Sequence, residues 1–190
     1  MIDSLLNYLG NSSAISIGVL VLLSLYFIVV FWIYLYKYFK LVSDVSTESN
    51  NLNSLLARDS SVNPLSRIGQ CINNNRSGNI SKEYLKVCEI SMIREASTGI
   101  SWLSIISSTA PFIGLFGTVV GILESFAKFS TTSKVSFATI APAISEALIA
   151  TAAGIFVAIF AYTFHQILTR KVYELNTYLK SQIDIILARN

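Results

Sequence analysis

The sequence has 190 residues, of which 53% are hydrophobic and 13% charged, with a formal net charge of +3. Soluble domains carry about 25% charged residues, so this composition excludes an ordinary soluble fold. The small basic excess lies in two segments flanking apolar runs, which makes it a matter of membrane topology and not of nucleic-acid binding.

Charge is absent from Ser4 to Tyr36 and from Ala96 to Leu123, and from Val135 to Thr169 the sole acid or base besides His165 is Glu146. Each window exceeds the roughly 20 apolar residues that cross a bilayer core. The expected fold class is therefore an all-α integral membrane protein with three transmembrane helices, the second and third extending as long helices into the cytoplasm.

In chain order, Ile2, Leu5, Leu6 and Leu9 share one helical face, so residues 1–13 read as a periplasmic amphipathic segment closed by Gly10. Residues 14–36 form the first span. It lacks a basic leader and a small-residue cleavage site and ends in Tyr36-Lys37-Tyr38-Phe39-Lys40, so it reads as an anchor, not a cleaved signal. Residues 37–100 are a cytoplasmic helical loop. Leu41, Val45, Leu52, Leu55 and Leu56 suggest one helix in it, and Leu65, Ile68 and Ile72 a second, short one. The run Asn73 to Asn79 is a loop. From residue 82 the helical pattern runs to 127 with no breaker recognised, so a single long helix is expected, with residues 101–127 as the second span. A periplasmic link (128–137), a third span (138–168) and a cytoplasmic helical tail (169–190) complete the chain. Cys71 and Cys88 fall in the cytoplasmic loop, where the compartment is reducing, and read as two structural thiols.

Orientation follows from the basic residues. Eight lie between Lys37 and Arg94 and four in the tail, against two, Lys128 and Lys134, in the link. The positive-inside rule places the loop and tail in the cytoplasm and the N-terminus outside.

Glu146 is the residue that points to chemistry. A carboxylate at mid-span costs about 2.5–3.5 kcal/mol on insertion scales. It therefore faces a protein interior or a water path, either as a proton-handling group or as a structural hydrogen bond between helices. Thr118 and Glu146 each lie eight residues inward of the expected outer boundary, at a common depth of about 12 Å, so they can face each other. Thr151 lies a little over one turn deeper. Ser145 adds a hydroxyl, whereas Ser107, Ser108 and Thr109 are expected to bond back to their own helix. Gly114, Gly117, Gly121 and Gly154, with Ala143, Ala147 and Ala150, offer small surfaces for close helix packing. Pro111 and Pro142 each remove a backbone donor and are candidate helix bends. His165 reads as an interfacial side chain and Glu124 as a solvated one. No catalytic, metal-ligand or cofactor motif stands out, so no enzyme activity, metal or cofactor is expected.

Two segments resemble a known family. Ala110-Pro111-Phe112-Ile113-Gly114-Leu115-Phe116-Gly117-Thr118-Val119-Val120-Gly121-Ile122 is similar to the APLLGLLGTVxGI segment of the TolQ/ExbB/MotA proton-channel motor subunits. The run from Ile140 to Gly154, IAPAISEALIATAAG, resembles their companion IAPxIxEALxATAxG segment. The resemblance covers residues 101–166. It implies the multi-span subunit of a homopentamer in the bacterial inner membrane. The pore of that ring would hold two transmembrane helices of a TolR- or ExbD-like partner dimer, a single-span protein with a membrane aspartate, and a TolA- or TonB-like protein would take up the work. The family's membrane glutamate maps to Glu146 and its two pore threonines to Thr118 and Thr151. Length and span number fit TolQ and ExbB better than MotA. Within that pair the reading leans to the TolQ branch, which supports envelope integrity and division, over the ExbB branch, which powers TonB-dependent uptake. A structural membrane scaffold and a stand-alone ion channel are the alternatives from other classes. Two departures stand out: Phe160 replaces the family's proline, and Phe164-His165 replaces a Tyr-Asn pair.

Overall fold

A computed structural model describes residues 14–57, 66–74, 81–129 and 137–189, with the side chains of residues 14, 128, 129, 137–140, 143, 146 and 189 outside that description. The N-terminal amphipathic segment and residues 130–136 of the expected link lie outside the described residues. Every regular element is a helix: α1 (Ala14–Leu56), α2 (Arg67–Asn73), α3 (Lys82–Ser97), α4 (Ile100–Phe129) and α5 (Phe137–Arg189). Three of them, α1, α4 and α5, are long and apolar enough to cross a membrane.

The chain divides into two compact units. One holds the start of α1 up to Trp32 together with residues 102–163; the other holds residues 33–101 and 164–190. In the first unit the buried residues of α4 are Leu103, Ile106, Ala110, Gly114, Gly117, Thr118 and Gly121. Those of α5 are Ala147, Ala150, Gly154, Val157 and Ala161. Those of α5 fall at alternating steps of three and four and those of α4 at steps of three or four apart from the adjacent pair Gly117 and Thr118, the spacing of a narrow packed seam. The opposite face of α4 carries exposed Phe112, Phe116, Leu123 and Phe126, as suits contact with lipid or neighbouring helices.

In the second unit the same stepping continues along α5 through Leu168, Leu175, Leu179 and Gln182, all fully buried. Ser66 caps α2, its hydroxyl accepting from the Gly69 N–H at 2.9 Å, and Ser81 caps α3 through the Tyr84 N–H at 3.2 Å.

Two expectations change here. The helix expected over 82–127 is broken at Thr98-Gly99, where Gly99 has φ +86°, a left-handed conformation that favours glycine. The Thr98 N–H closes α3 onto the carbonyls of Arg94 and Glu95. Lys37 of α1 donates to the carbonyls of Glu95 and Ala96, each at 3.4 Å, so the end of α3 is capped from outside its own sequence. The second correction concerns the cysteines: Cys71 of α2 and Cys88 of α3 are joined as a disulfide, with Cα atoms 6.3 Å apart, and are not two separate thiols. The packing of α2 against α3 sets that distance, and compartment chemistry alone could not reveal it.

Candidate functional site

The site is built where α4 meets α5. At the crossing, Gly114 and Gly154 face each other with no room for a side chain. A Cβ on Gly154 would lie 2.5 Å from the Ala110 carbonyl oxygen and 3.0 Å from Gly114 Cα. Gly117 abuts Val19 and Ala150, and Gly121 abuts Ala147 and Ser16. The small residues thus let two backbones touch and let α1 lie against both.

This close approach brings Thr118 and Thr151 together, with hydroxyl oxygens 2.5 Å apart. The Thr118 hydroxyl also lies 3.0 Å from the Ala147 carbonyl oxygen on α5 and 3.4 Å from that of Gly114 on its own helix. A hydroxyl has one proton to donate and two lone pairs to accept with. With Thr118 donating across to Ala147, the nearer of the two carbonyls, Thr151 is left to donate to Thr118. Thr118 is buried, only 8% exposed, so this is a hydroxyl chain inside an apolar seam. Glu146 occupies the α5 position immediately before Ala147, the residue whose carbonyl takes the Thr118 proton. Its side chain, and that of Ala143, lie outside the described set. Ser107, Ser108 and Thr109 bond back to the carbonyls of Ser104 and Ile105 at 2.8–2.9 Å, so they contribute no hydroxyl to the chain. Pro111 and Pro142 stand inside α4 and α5.

The two departures from the family pattern become aromatic contacts to α1. In the first unit Phe160 packs on Phe27 at 5.6 Å, edge-on, and on Phe31 at 5.9 Å. In the second unit Phe164 stacks on Tyr34 at 3.9 Å. Such pairs are worth about 0.5–1.5 kcal/mol beyond their buried area.

Outside the seam, the second unit holds a polar cluster that the sequence did not reveal. The fully buried Glu48 carboxylate accepts from the Arg67 backbone N–H and, at 3.0 Å, from the Gln182 side-chain amide. Gln182 in turn accepts from Asn51 at 2.7 Å and donates to the Glu48 carbonyl at 2.8 Å. The Arg67 guanidinium pairs with Asp44 at 2.5 Å and reaches Glu95 at 3.8 Å, while Lys40 bonds Glu95 at 3.1 Å. The Lys40 hydrogen bond, then the Arg67 charge, hold the Glu95 carboxyl below its usual range. Among the described residues, no group of three or more His, Cys, Asp or Glu side chains could hold a metal ion.

Three helices long and apolar enough to span a membrane, two of them meeting at a glycine-built crossing that holds a hydroxyl pair, define a multi-span membrane protein. The comparisons with known proteins agree. Residues 60–181 match the MotA/TolQ/ExbB proton channel family. The chain is 44% identical over 188 residues to the "Putative biopolymer transport protein ExbB-like 1" of Helicobacter pylori strain 26695, covering 98% of both chains. A shorter stretch of 79 residues is 46% identical to "Biopolymer transport protein ExbB" of Pseudomonas putida, covering 42% of this chain and 24% of that one. Over 58 residues it is 53% identical to "Tol-Pal system protein TolQ" of Pseudomonas aeruginosa, covering 30% of this chain and 25% of that one. The chain belongs to the MotA/TolQ/ExbB proton channel family. It is a multi-pass inner-membrane protein of the TolQ/ExbB-like motor type.

The Thr118–Thr151 pair lends itself to a double-mutant cycle. Thr118→Val and Thr151→Val keep the side-chain shape and remove the hydroxyl. Each single variant is expected to cost about 1 kcal/mol, and the pair to couple by about 0.5–1.5 kcal/mol. Thermal unfolding of the full chain in detergent would check this; strictly additive losses would show that the two hydroxyls do not act together.

Proposed function

We propose that this chain is the ring-forming subunit of a proton-driven motor, in which Glu146, Thr118 and Thr151 line the proton pathway. Five copies form the ring, and a TolR- or ExbD-like partner dimer places its membrane aspartate inside it. The observation that carries the reading is the Thr118–Thr151 hydroxyl pair, 2.5 Å apart with Thr118 buried, in the segments that resemble the family's pore motifs. Glu146, next to the Ala147 carbonyl that closes the pair, is the carboxylate of the path. The membrane potential supplies about 2.3 kcal/mol per charge per 100 mV, so a few protons are enough to drive a conformational step. The basic loop and tail face the cytoplasm and the N-terminus faces the periplasm, as the lysine and arginine asymmetry indicates.

Within the family, the ExbB-like branch, energising TonB-dependent uptake and biopolymer transport, is the reading best supported. A relative matched over 98% of its length bears that name. The Tol-Pal branch, toward which the sequence reading leans, is the second reading, favoured by the 53% identity to TolQ over 58 residues.

The test is complementation of a deletion strain with wild type, Glu146→Gln and Glu146→Ala, scored for iron-chelate uptake, detergent sensitivity and division chaining. Wild type is expected to restore uptake, and both variants, at normal expression, to abolish the rescue. Rescue of detergent resistance and division instead would move the chain to the Tol branch. Variants as active as wild type would remove Glu146 from the pathway and favour a structural scaffold. Co-purification with a partner carrying a membrane aspartate is expected; a stable complex without one would count against a motor.

A further inference from the structure

We propose that Cys71 and Cys88 form a reversible thiol–disulfide site that reacts with low-molecular-weight disulfides, Cys71 being the entry thiol and Cys88 the resolving one. The proposal rests on the orientation given above, which puts both residues on the reducing side of the membrane. A disulfide there persists only while an oxidant maintains it.

The two sulfurs differ in access. Cys71 is half-buried on α2, and both cysteines line an open cleft of about 460 Å³. Cys88 is 3% exposed, on the apolar face of α3 between Leu85 and Met92. An external disulfide therefore reaches Cys71 more readily than Cys88. The lining of the cleft is charged with both signs: Lys40 and Arg67 stand near Asp44, Glu48 and Glu95.

The pair is held in place without the bond. The Arg67 backbone N–H is bound to Glu48 and its guanidinium to Asp44, Ile68 is buried, and the Tyr84 hydroxyl donates to the Cys71 carbonyl at 2.9 Å. With the Cα atoms at 6.3 Å, within the range a disulfide spans, α2 and α3 need not rearrange for the bond to open or close. In the first step the Cys71 thiolate attacks one sulfur of a small-molecule disulfide, forming a mixed disulfide, and the other half leaves as a thiolate. In the second the Cys88 thiolate attacks Cys71 Sγ and expels the second small thiol. Two protein thiols are oxidised, one small-molecule disulfide is reduced to two thiols, and two protons pass to the thiolates released. Closing the bond ties α2, which carries Arg67, covalently to α3, which carries Glu95. That makes the cluster around Asp44 and Arg67 responsive to thiol redox state.

The experiment uses the full chain in its native membranes, reduced, then treated with oxidised glutathione, acid-quenched, alkylated and weighed intact. Wild type is expected to lose both free thiols with no glutathione retained, and to regain them with dithiothreitol. Cys88→Ala should trap one glutathione on Cys71, and Cys71→Ser should leave Cys88 an unmodified thiol. Two thiols persisting in wild type, or Cys88 modified as readily as Cys71, would overturn the proposal. So would a pair already fully oxidised in cells alkylated before lysis. Sidedness is read separately: a membrane-impermeant maleimide should label Cys88→Ala at Cys71 only after the cells are permeabilised. Labelling in intact cells would sink the orientation, while the order of exchange in open membranes still reports on the chemistry of the pair.

Discussion

Gly154→Val is expected to destabilise the α4–α5 pair by about 3 kcal/mol, the upper end of the range for overpacked interiors. The atoms in the way are backbone: a Cβ would lie 2.5 Å from the Ala110 oxygen and 3.0 Å from Gly114 Cα. A flexible side chain could swing aside, but a helix backbone can only move as a body. The two helices must then separate, and the Thr118–Thr151 contact, set in the same crossing, is lost with the packing. Gly154→Ala, which adds the Cβ alone, should show the same defect in smaller measure. Gly18→Ala is the control, because nothing lies within 4 Å of a Cβ built there and alanine is the better helix former. Thermal unfolding of the purified chain in detergent should show a fall of about 6–12 °C for Gly154→Val and none for Gly18→Ala. A valine variant as stable as wild type would show that α4 and α5 do not meet at this glycine.

The crossing was legible in the sequence because lipid offers helices little hydrophobic drive to pack, so close contact leaves a mark in residue size. Gly114, Gly117, Gly121 and Gly154 are that mark, and the resemblance supplied Thr118 and Thr151 beside them. Counting inward from an assumed boundary gave depth along the helix and not direction round it. It set Thr118 level with Glu146, whose side chain lies outside the described residues; across the crossing, the described contacts of Thr118 are to Thr151 and the Ala147 carbonyl. Thr98-Gly99 was passed over because apolar residues recur at helical spacing on both sides of it; its signal is the glycine's left-handed backbone, supported by Lys37 from α1. The cluster of Glu48, Asn51 and Gln182 left no trace at all. Its partners are 131–134 positions apart, and each sits in a polar stretch that reads as solvent-facing. The disulfide escaped for a related reason, since it depends on two helices folding against each other across an intervening loop.

That buried cluster gives the second large effect. Gln182→Leu is expected to cost about 2–4 kcal/mol at neutral pH, the range for losing a hydrogen bond to a buried charged group plus its exposure to an apolar neighbour. The Gln182 amide donates both to the Glu48 carboxylate and to the Glu48 carbonyl, and leucine replaces it with nothing that can donate. The loss should depend on pH in a definite sense. Burial pushes the Glu48 carboxyl above its usual value, opposed by the hydrogen bonds from the Arg67 backbone and from Gln182. Between the ordinary glutamate value of about 4.3 and that raised value, the folded chain holds a proton that the unfolded chain has released. Stability contributed by this group is therefore full below the unfolded value and is lost as pH rises through the folded one. Removing the Gln182 donor raises the carboxyl further, and that part of the loss falls on the charged form. The defect of Gln182→Leu should then be largest above the raised Glu48 value and shrink as the pH falls through it toward the ordinary carboxylate range. Unfolding temperatures of wild type and variant across that range would decide it. An equal gap at both ends would mean that the amide holds its helix through Asn51 and the Glu48 carbonyl, and that the carboxylate is not the group it stabilises.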